Sequence, residues 1–343
     1  MGEPLKAAIV GLGWWGRQIV DSLSGSELVT IVRVVEPAIE QAQAFASARG
    51  LAVDEELDAA LADDDIRAVI VATPHLLHEA QVLASAAAGK HVFCEKPLAL
   101  ESGAARRMLN ACVERGLALG VGHERRFEGA LERAAEMARS GELGTLLGVE
   151  CNWSHDLFAG AGRSTWRQDS RQAPAGTLTA LGVHITDYFQ SVMGPVARVR
   201  AVSSHRSADF PADDVLSVQF EFENGCSGSM TNLATTPFYS RISLFGDRGW
   251  VEARETSNVD VADPALLTWR GSDGEIHTRT YAHSNTVRAN IEQWAASALG
   301  LGTYRFTDAE LIHNVEILES IVRSAATGET VAVRREVGDT PGA

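Results

Sequence analysis

The chain has 343 residues, 45% of them hydrophobic and 22% charged, which supplies apolar material for two packed domains and excludes a disordered chain. A formal charge of -15 argues against nucleic acid or an anionic membrane as partner, because either requires a basic face. The opening MGEPLKAAIV has no basic segment followed by an apolar core and no later run is long enough to span a bilayer, so a reducing cytoplasm is expected.

From residue 6 to 122, short apolar runs alternate with helical spacing. Strands are predicted over 6–11, 29–35, 67–73, 90–94 and 117–122, with helices over 38–48, 74–89 and 102–116. That alternation reads as a parallel sheet wound with helices. The first strand runs into 11-GLGWWG-16 and then a helical 17–25. In such a turn Gly11 allows the tight bend, Gly13 lets the backbone approach a pyrophosphate, and Gly16 permits close helix–strand packing. The amides of Leu12, Trp14 and Trp15 then face an anion at a helix N-terminus. The Trp14 and Trp15 rings either pack against a second domain or line the cofactor cleft. Glu36 ends the next strand, twenty residues after Gly16. An acid there accepts hydrogen bonds from ribose hydroxyls and repels a 2'-phosphate, so NAD is expected in preference to NADP.

At the carboxyl end of the strand over 67–73 stands 73-TPHLLH-78, on the edge where open parallel sheets bind ligands. Thr73 and Pro74 open a helix as cap and first-turn proline. His75 and His78 lack a third ligand at a metal-site spacing, so no metal is expected and cofactor-side packing is the reading. The next strand ends at Glu95, Lys96 and Pro97 in 92-VFCEKPLAL-100. By itself such a lysine is ordinarily a solvated charge. Cys94, Cys112, Cys151 and Cys226 form no C-x-x-C pair, which excludes a disulfide framework and a structural zinc site, and they read as packing residues.

After residue 123 a helix over 128–144 gives way to predicted strands over 146–153, 197–204, 215–222, 226–234 and 240–246. Several alternate apolar and polar residues, as antiparallel strands with one solvated face do. Helices over 286–300 and 307–328 close the chain. The change of pattern places a domain boundary near 122, giving a dinucleotide-binding domain over 1–122 and a substrate and oligomerisation domain over 123–343.

Taken in order and spacing, G-x-G-x-x-G at 11–16, T-P-x-x-x-H at 73–78 and E-K-P at 95–97 resemble the Gfo/Idh/MocA family of oxidoreductases. The likeness continues through 122-GHERRF-127, 139-RSGELGTL-146, 166-WRQD-169, 176-GTLTALGVHITD-187 and 324-SAATGETVAV-333. It implies a Rossmann domain joined to a C-terminal α/β domain. The latter carries a large, mostly antiparallel sheet whose open face makes a homodimer or homotetramer contact. It also implies that Glu95 and Lys96 lie at the cofactor, that Lys96 touches nicotinamide and substrate, and that the Lys96–Pro97 bond is cis. An ammonium there polarises the oxygen whose carbon exchanges hydride.

Oxidising an alcohol also needs a base for the hydroxyl proton, ideally with a pKa near the operating pH. Helical spacing puts His184 and Asp187 within one turn, so the acid can orient the imidazole or serve the lysine. A lone histidine in an apolar helix is equally a satisfied core residue; the resemblance assigns His184 to the family's catalytic histidine. Ala180, four residues earlier, stands where many relatives carry aspartate. Either His184 is the sole base with Lys96 as its electrostatic partner, or the substrate is not a usual polyol. Arg125 and Arg167, with Trp166 beside the latter, are substrate-facing candidates whose fork suits a carboxylate or vicinal hydroxyls, and His155 is a further one. Their alternative is ordinary surface charge.

The expected function is NAD-dependent oxidation of a secondary hydroxyl of a sugar, cyclitol, sugar acid or cyclic diol to a ketone. Its substrate is a small polar molecule that an acidic group would suit. Two alternatives stand beside it: a redox-neutral enzyme that retains NAD and eliminates a group by transient oxidation, and a ligand sensor without chemistry.

Overall fold

The computed structural model describes residues 3–156, 166, 169–207, 210, 212–258 and 261–334. Its first sheet is built from β1 (Leu5–Val10), β2 (Val29–Val35), β3 (Ala52–Asp54), β4 (Ala68–Val71), β5 (His91–Cys94) and β6 (Leu119–Val121). The strands run parallel in the order β3-β2-β1-β4-β5-β6, the doubly wound order whose chain reversal lies between β1 and β4. Helices α1 (Trp14–Ser22), α2 (Ile39–Ser47), α3 (Leu57–Leu61), α4 (His78–Ala87) and α5 (Ser102–Val113) make the crossovers. β4 is buried at all four residues, which is why its sequence reads as an unbroken apolar run. β3 and α3 were not legible beforehand: one spans three residues and the other five, too short for any period.

The short helix α6 (Gly129–Arg139) leads into a second sheet. It comprises β7 (Leu146–Ser154), β8 (Val196–Ser204), β9 (Val215–Phe222), β10 (Ser227–Leu233), β11 (Tyr239–Gly246), β12 (Gly249–Glu255), β13 (Ala265–Arg270), β14 (Ile276–Tyr281) and β15 (Val331–Ala332). Their order is β14-β13-β12-β11-β7-β10-β9-β8-β15, with β10 and β7 pairing in parallel and β8, β9, β11, β12 and β15 pairing antiparallel to their neighbours. The alternation in VLSVQFEF buries Leu216, Val218, Phe220 and Phe222 on one face and leaves Ser217, Gln219 and Glu221 exposed on the other. Helix α7 (Val183–Met193) lies on the apolar face, where Phe189 meets Phe220 edge-on at 5.5 Å. Of the strands after residue 246, β12 buries only Val251 and Ala253, β13 only Leu267 and IHTRTY of β14 nothing, which leaves little periodicity to read.

Two closing helices, α8 (Thr286–Ala298) and α9 (Asp308–Thr327), part company. The chain forms two compact units, one of residues 1–133, 255–267 and 279–311, the other of residues 134–254, 268–278 and 312–343. They are not consecutive stretches on either side of one boundary near 122. α8 belongs to the first unit, where Ile291, Trp294 and Ala295 share a core with β1, β2 and α1. Trp294 Nε1 donates to Ala118 O at 3.3 Å, Asn290 Nδ2 donates to Val121 O at 2.9 Å, and the Tyr304 hydroxyl accepts from the Val121 amide at 3.1 Å. These groups cover the edge strand β6, whose backbone would otherwise be an open ladder.

Candidate functional site

Gly11 has φ +92°, and a Cβ there would press on the Ala72 carbonyl oxygen at 2.7 Å; at Gly16 a Cβ would collide with the Gly11 carbonyl oxygen. Gly13 is different, with open space where a Cβ would go. So two glycines close the turn between β1 and α1 and the third leaves its backbone open to a ligand. Glu36 Oε2 accepts from the Leu12 amide at 2.8 Å and Oε1 from the Ala38 amide at 3.2 Å, which fixes the acid beside the turn. Trp14 is 57% exposed, Trp15 is half-buried, and their rings lie 5.4 Å apart. These features fit a dinucleotide: an open glycine, amides at a helix start and an acid at the end of β2.

Along the same edge, the two histidines after Pro74 separate in role. His78 is fully buried, with Nδ1 3.0 Å from Pro97 O and Nε2 3.0 Å from Thr73 O. Burial lowers its pKa against the pull of the carbonyls of Thr73, Pro97 and Leu98. A neutral His78 therefore ties the loop after β4 to the loop after β5. His75 is buried and meets the His78 ring edge-on at 5.7 Å. The Lys96–Pro97 bond is cis. Glu95 is buried, and the Lys96 amide donates to its Oε2 at 3.2 Å. Burial, then the charge of Glu124, pushes Glu95 up to about 7 against the opposing pull of Trp15 and Lys96. Glu124 and the glycine that makes room for Glu95, Gly122, went unnoticed in the sequence, where GHERRF signals only an apolar strand turning into charge.

Arg125 is not an open fork. It is 5% exposed at its side chain; Nη1 donates to Glu128 and to Glu255 Oε2 at 2.8 Å, Nη2 donates to Asn258 Oδ1 at 2.9 Å, and Nε lies 3.7 Å from Glu124 Oε1. Burial raises Glu255, opposed by Arg125. The guanidinium is held by this unit's own acids, and nothing in the sequence distinguished that fate from substrate contact.

In the second unit, His184 is the second residue of α7 and 5% exposed, with its ring 6.2 Å from that of Trp153. A π-turn, Leu178–Gly182, precedes it, so Ala180 and His184 are not related by a regular helical turn. Gly182 packs there against Leu178, Asn232 and Met230, and a Cβ would sit 3.2 Å from Asn232 Oδ1. Asn232 in turn donates to Trp153 O at 2.8 Å. Asp187 is buried on the same helix, and Gln190 Nε2 donates to its Oδ1 at 3.4 Å. Asn314 Nδ2 donates to Val183 O at 3.1 Å, anchoring the start of α7. His155 sits at the end of β7 with its ring edge-on to Phe238 at 5.7 Å. The Trp166 carbonyl accepts from the Asp169 amide at 3.1 Å, and Arg167 lies outside the described residues. Among the described residues there is no group of three His, Cys, Asp or Glu suited to a metal, and no helix is long and apolar enough to cross a membrane.

Comparison with known proteins agrees with this geometry. The description "oxidoreductase family, NAD-binding Rossmann fold" matches residues 5–123, and "GFO/IDH/MocA C-terminal domain" matches residues 131–252. D-xylose 1-dehydrogenase (NADP(+)) 2 of Haloferax volcanii is 29% identical over 323 residues, 90% of this chain and 97% of that protein. A 2,7-anhydro-N-acetylneuraminate hydratase of Mediterraneibacter gnavus is 29% identical over 230 residues, 63% of this chain and 58% of that protein. Among solved structures, GenD2 from gentamicin A biosynthesis in complex with NAD superposes with a TM-score of 0.84 at 27% identity, covering 98% of each chain.

Proposed function

Because the chain belongs to the Gfo/Idh/MocA family of oxidoreductases, with an NAD(P)-binding Rossmann unit and an antiparallel-rich second sheet, we propose that it oxidises a secondary hydroxyl of a sugar, cyclitol, sugar acid or cyclic diol to the ketone. The observation that carries this reading is the sharing of one sheet edge by the glycine turn, Glu36 and the cis Lys96–Pro97 turn. NAD(P) supplies the hydride acceptor when bound. The amides of the 11–16 turn hold its pyrophosphate, and Glu36 favours NAD by accepting from ribose hydroxyls and repelling a 2'-phosphate. A D-xylose dehydrogenase named for NADP among the relatives makes this preference the point to measure.

In this proposal Lys96 polarises the substrate oxygen with its ammonium, and His184 takes the hydroxyl proton, with Asp187 steadying the imidazole through their shared helix. Substrate contact is assigned to His155, Trp166 and Arg167. Arg125 is omitted because Glu128, Glu255 and Asn258 already take its donors. Copies of the chain associate as a homodimer or homotetramer through the solvated face of the second sheet; sedimentation velocity tests this.

The deciding experiment assays a panel of polyols, sugar acids and dihydrodiols for formation of NADH, beside Lys96→Ala. At least one compound is expected to give NADH that the variant fails to form by a factor of about 10² or more. Activity that persists undiminished in Lys96→Ala sinks the assignment. The hydratase relative supports a second reading, in which NAD stays bound and a group is eliminated by transient oxidation. Net release of NADH on substrate addition excludes it.

A further inference from the structure

His184 stands just past a change of helical register. The Thr177 carbonyl accepts from the Leu181 amide at 2.9 Å and from the Gly182 amide at 3.3 Å, four and five residues ahead, and the Val183 amide bonds back five residues to Leu178 O. The π-turn Leu178–Gly182 is thus a helix carrying one extra residue, and α7 resumes the ordinary register at Val183. Moving such an insertion by one position exchanges few bonds. Each residue it passes turns by about 100° around the helix axis, the angle one residue occupies at 3.6 per turn. For His184 that turn would carry the imidazole away from Trp153, whose ring lies 6.2 Å from its own.

A group outside α7 holds the junction. Asn314 on α9 is buried, as is Thr186 on α7. The Thr186 hydroxyl lies 2.6 Å from Asn314 Oδ1 and 3.2 Å from Val183 O, and its single hydrogen goes to the nearer acceptor. That bond fixes which way the amide faces, so Asn314 Nδ2 meets Val183 O and donates to it at 3.1 Å. Val183 O belongs to the planar peptide whose far end is the nitrogen of His184. Holding that oxygen therefore sets the plane from which the His184 side chain departs. α9 is itself tied to β8: His313 Nε2 accepts from the Val196 amide at 3.0 Å and Ser324 Oγ from the Ala201 amide at 2.8 Å, while His313 Nδ1 lies 2.9 Å from Glu316 Oε2. The latch is mounted on a helix fastened to a sheet, and all of these residues lie in one compact unit.

We propose that Asn314 and Thr186 are positioning residues for His184: together they pin the change of register at Val183 and so aim the imidazole. They move no proton themselves. Their catalytic role rests on the reading of His184 as the base; their hold on the ring does not.

Asn314→Ala alone would strand the buried Thr186 hydroxyl, so the variant to use replaces both partners by apolar groups of like size, Thr186→Val with Asn314→Leu. NMR of the full chain labelled at histidine Cε1, with His184 assigned through His184→Gln, reads the aim of the ring through the ring current of Trp153 and needs no substrate. The double variant should shift the His184 resonance or split it in two, while that of His78, in the other unit, stays in place. Thr186→Ser keeps the hydroxyl and should restore the parent resonance. A His184 resonance unmoved in the double variant overturns the proposal.

Kinetics with a compound that yields NADH test the consequence. The double variant should lower kcat by about ten- to a hundredfold with the Kd for NADH unchanged. In a His184→Ala background, where there is no ring to aim, it should cost nothing further. An equal loss in both backgrounds marks a merely structural role and overturns the proposal. Undiminished kcat in His184→Ala is a failure of the base assignment and takes the catalytic role of the pair with it, whereas an unmoved resonance is a failure of the pair alone.

Discussion

Glu36 shows what one residue does here: its two oxygens accept from the amides of Leu12 and Ala38, so the acid is set in place before any ribose arrives. Glu36→Ala removes that support and the repulsion of a 2'-phosphate together. The expected outcome is roughly tenfold weaker NAD binding, the worth of one charge-assisted hydrogen bond, with NADP affected less; fluorescence titration with both reduced coenzymes checks it. Gly120 is a second single-residue test. A Cβ there would lie 2.6 Å from the Trp294 ring, so Gly120→Ala overpacks the core and should cost about 1–3 kcal/mol in urea unfolding. At this scale the glycine turn, Glu36 and the E-K-P turn were readable, because each needs a particular residue type at a particular spacing. Arg125 and Glu124 were not, since their roles depend on partners such as Glu255, 130 residues away from Arg125, that no local spacing announces.

The elements of the first sheet other than β3 and α3 were legible from their buried runs, and right-handed crossovers narrow the strand orders that such alternating strands and helices can take. The π-turn Leu178–Gly182 was not, because a single inserted residue leaves helical apolar spacing almost intact over so short a segment. It alters how Ala180 is compared with an aspartate of relatives: the residue four before His184 is not simply one turn back. The cover on β6 was hidden too, since Asn290 and Tyr304 read as ordinary helix and loop residues. Asn290→Leu withdraws the donor from Val121 O and the acceptor used by the Tyr304 hydroxyl, which donates to Asn290 Oδ1 at 2.8 Å. With buried polar groups left unpaired, a loss of about 2–3 kcal/mol in denaturant unfolding is expected, and faster amide exchange on β6 than on β1.

For the whole molecule, the raised Glu95 predicts a pH-dependent stability of definite sign. Unfolded, its carboxyl titrates near 4.5, the ordinary value for a glutamate; folded, burial and the charge of Glu124 push it up to about 7, so between these values the folded chain binds the extra proton. The stabilisation is complete below the unfolded value and is lost as pH rises through the folded one, with a limiting slope of about 1.4 kcal/mol per pH unit for one group. Unfolding free energies from pH 5 to about 8 should therefore fall more steeply in the parent than in Glu95→Gln; parallel curves exclude the assignment.

The return of α8 to the first sheet has a consequence for how the chain is made. A ribosome completes residues 134–254, the bulk of the second unit, before it has synthesised the helix that carries Ile291 and Trp294 to β1, β2 and α1. The half whose chain starts first thus cannot finish folding until most of the other has been made, its apolar surface waiting for a helix still to be threaded from the tunnel, and the other half waits in turn for residues 312–343 that follow α8.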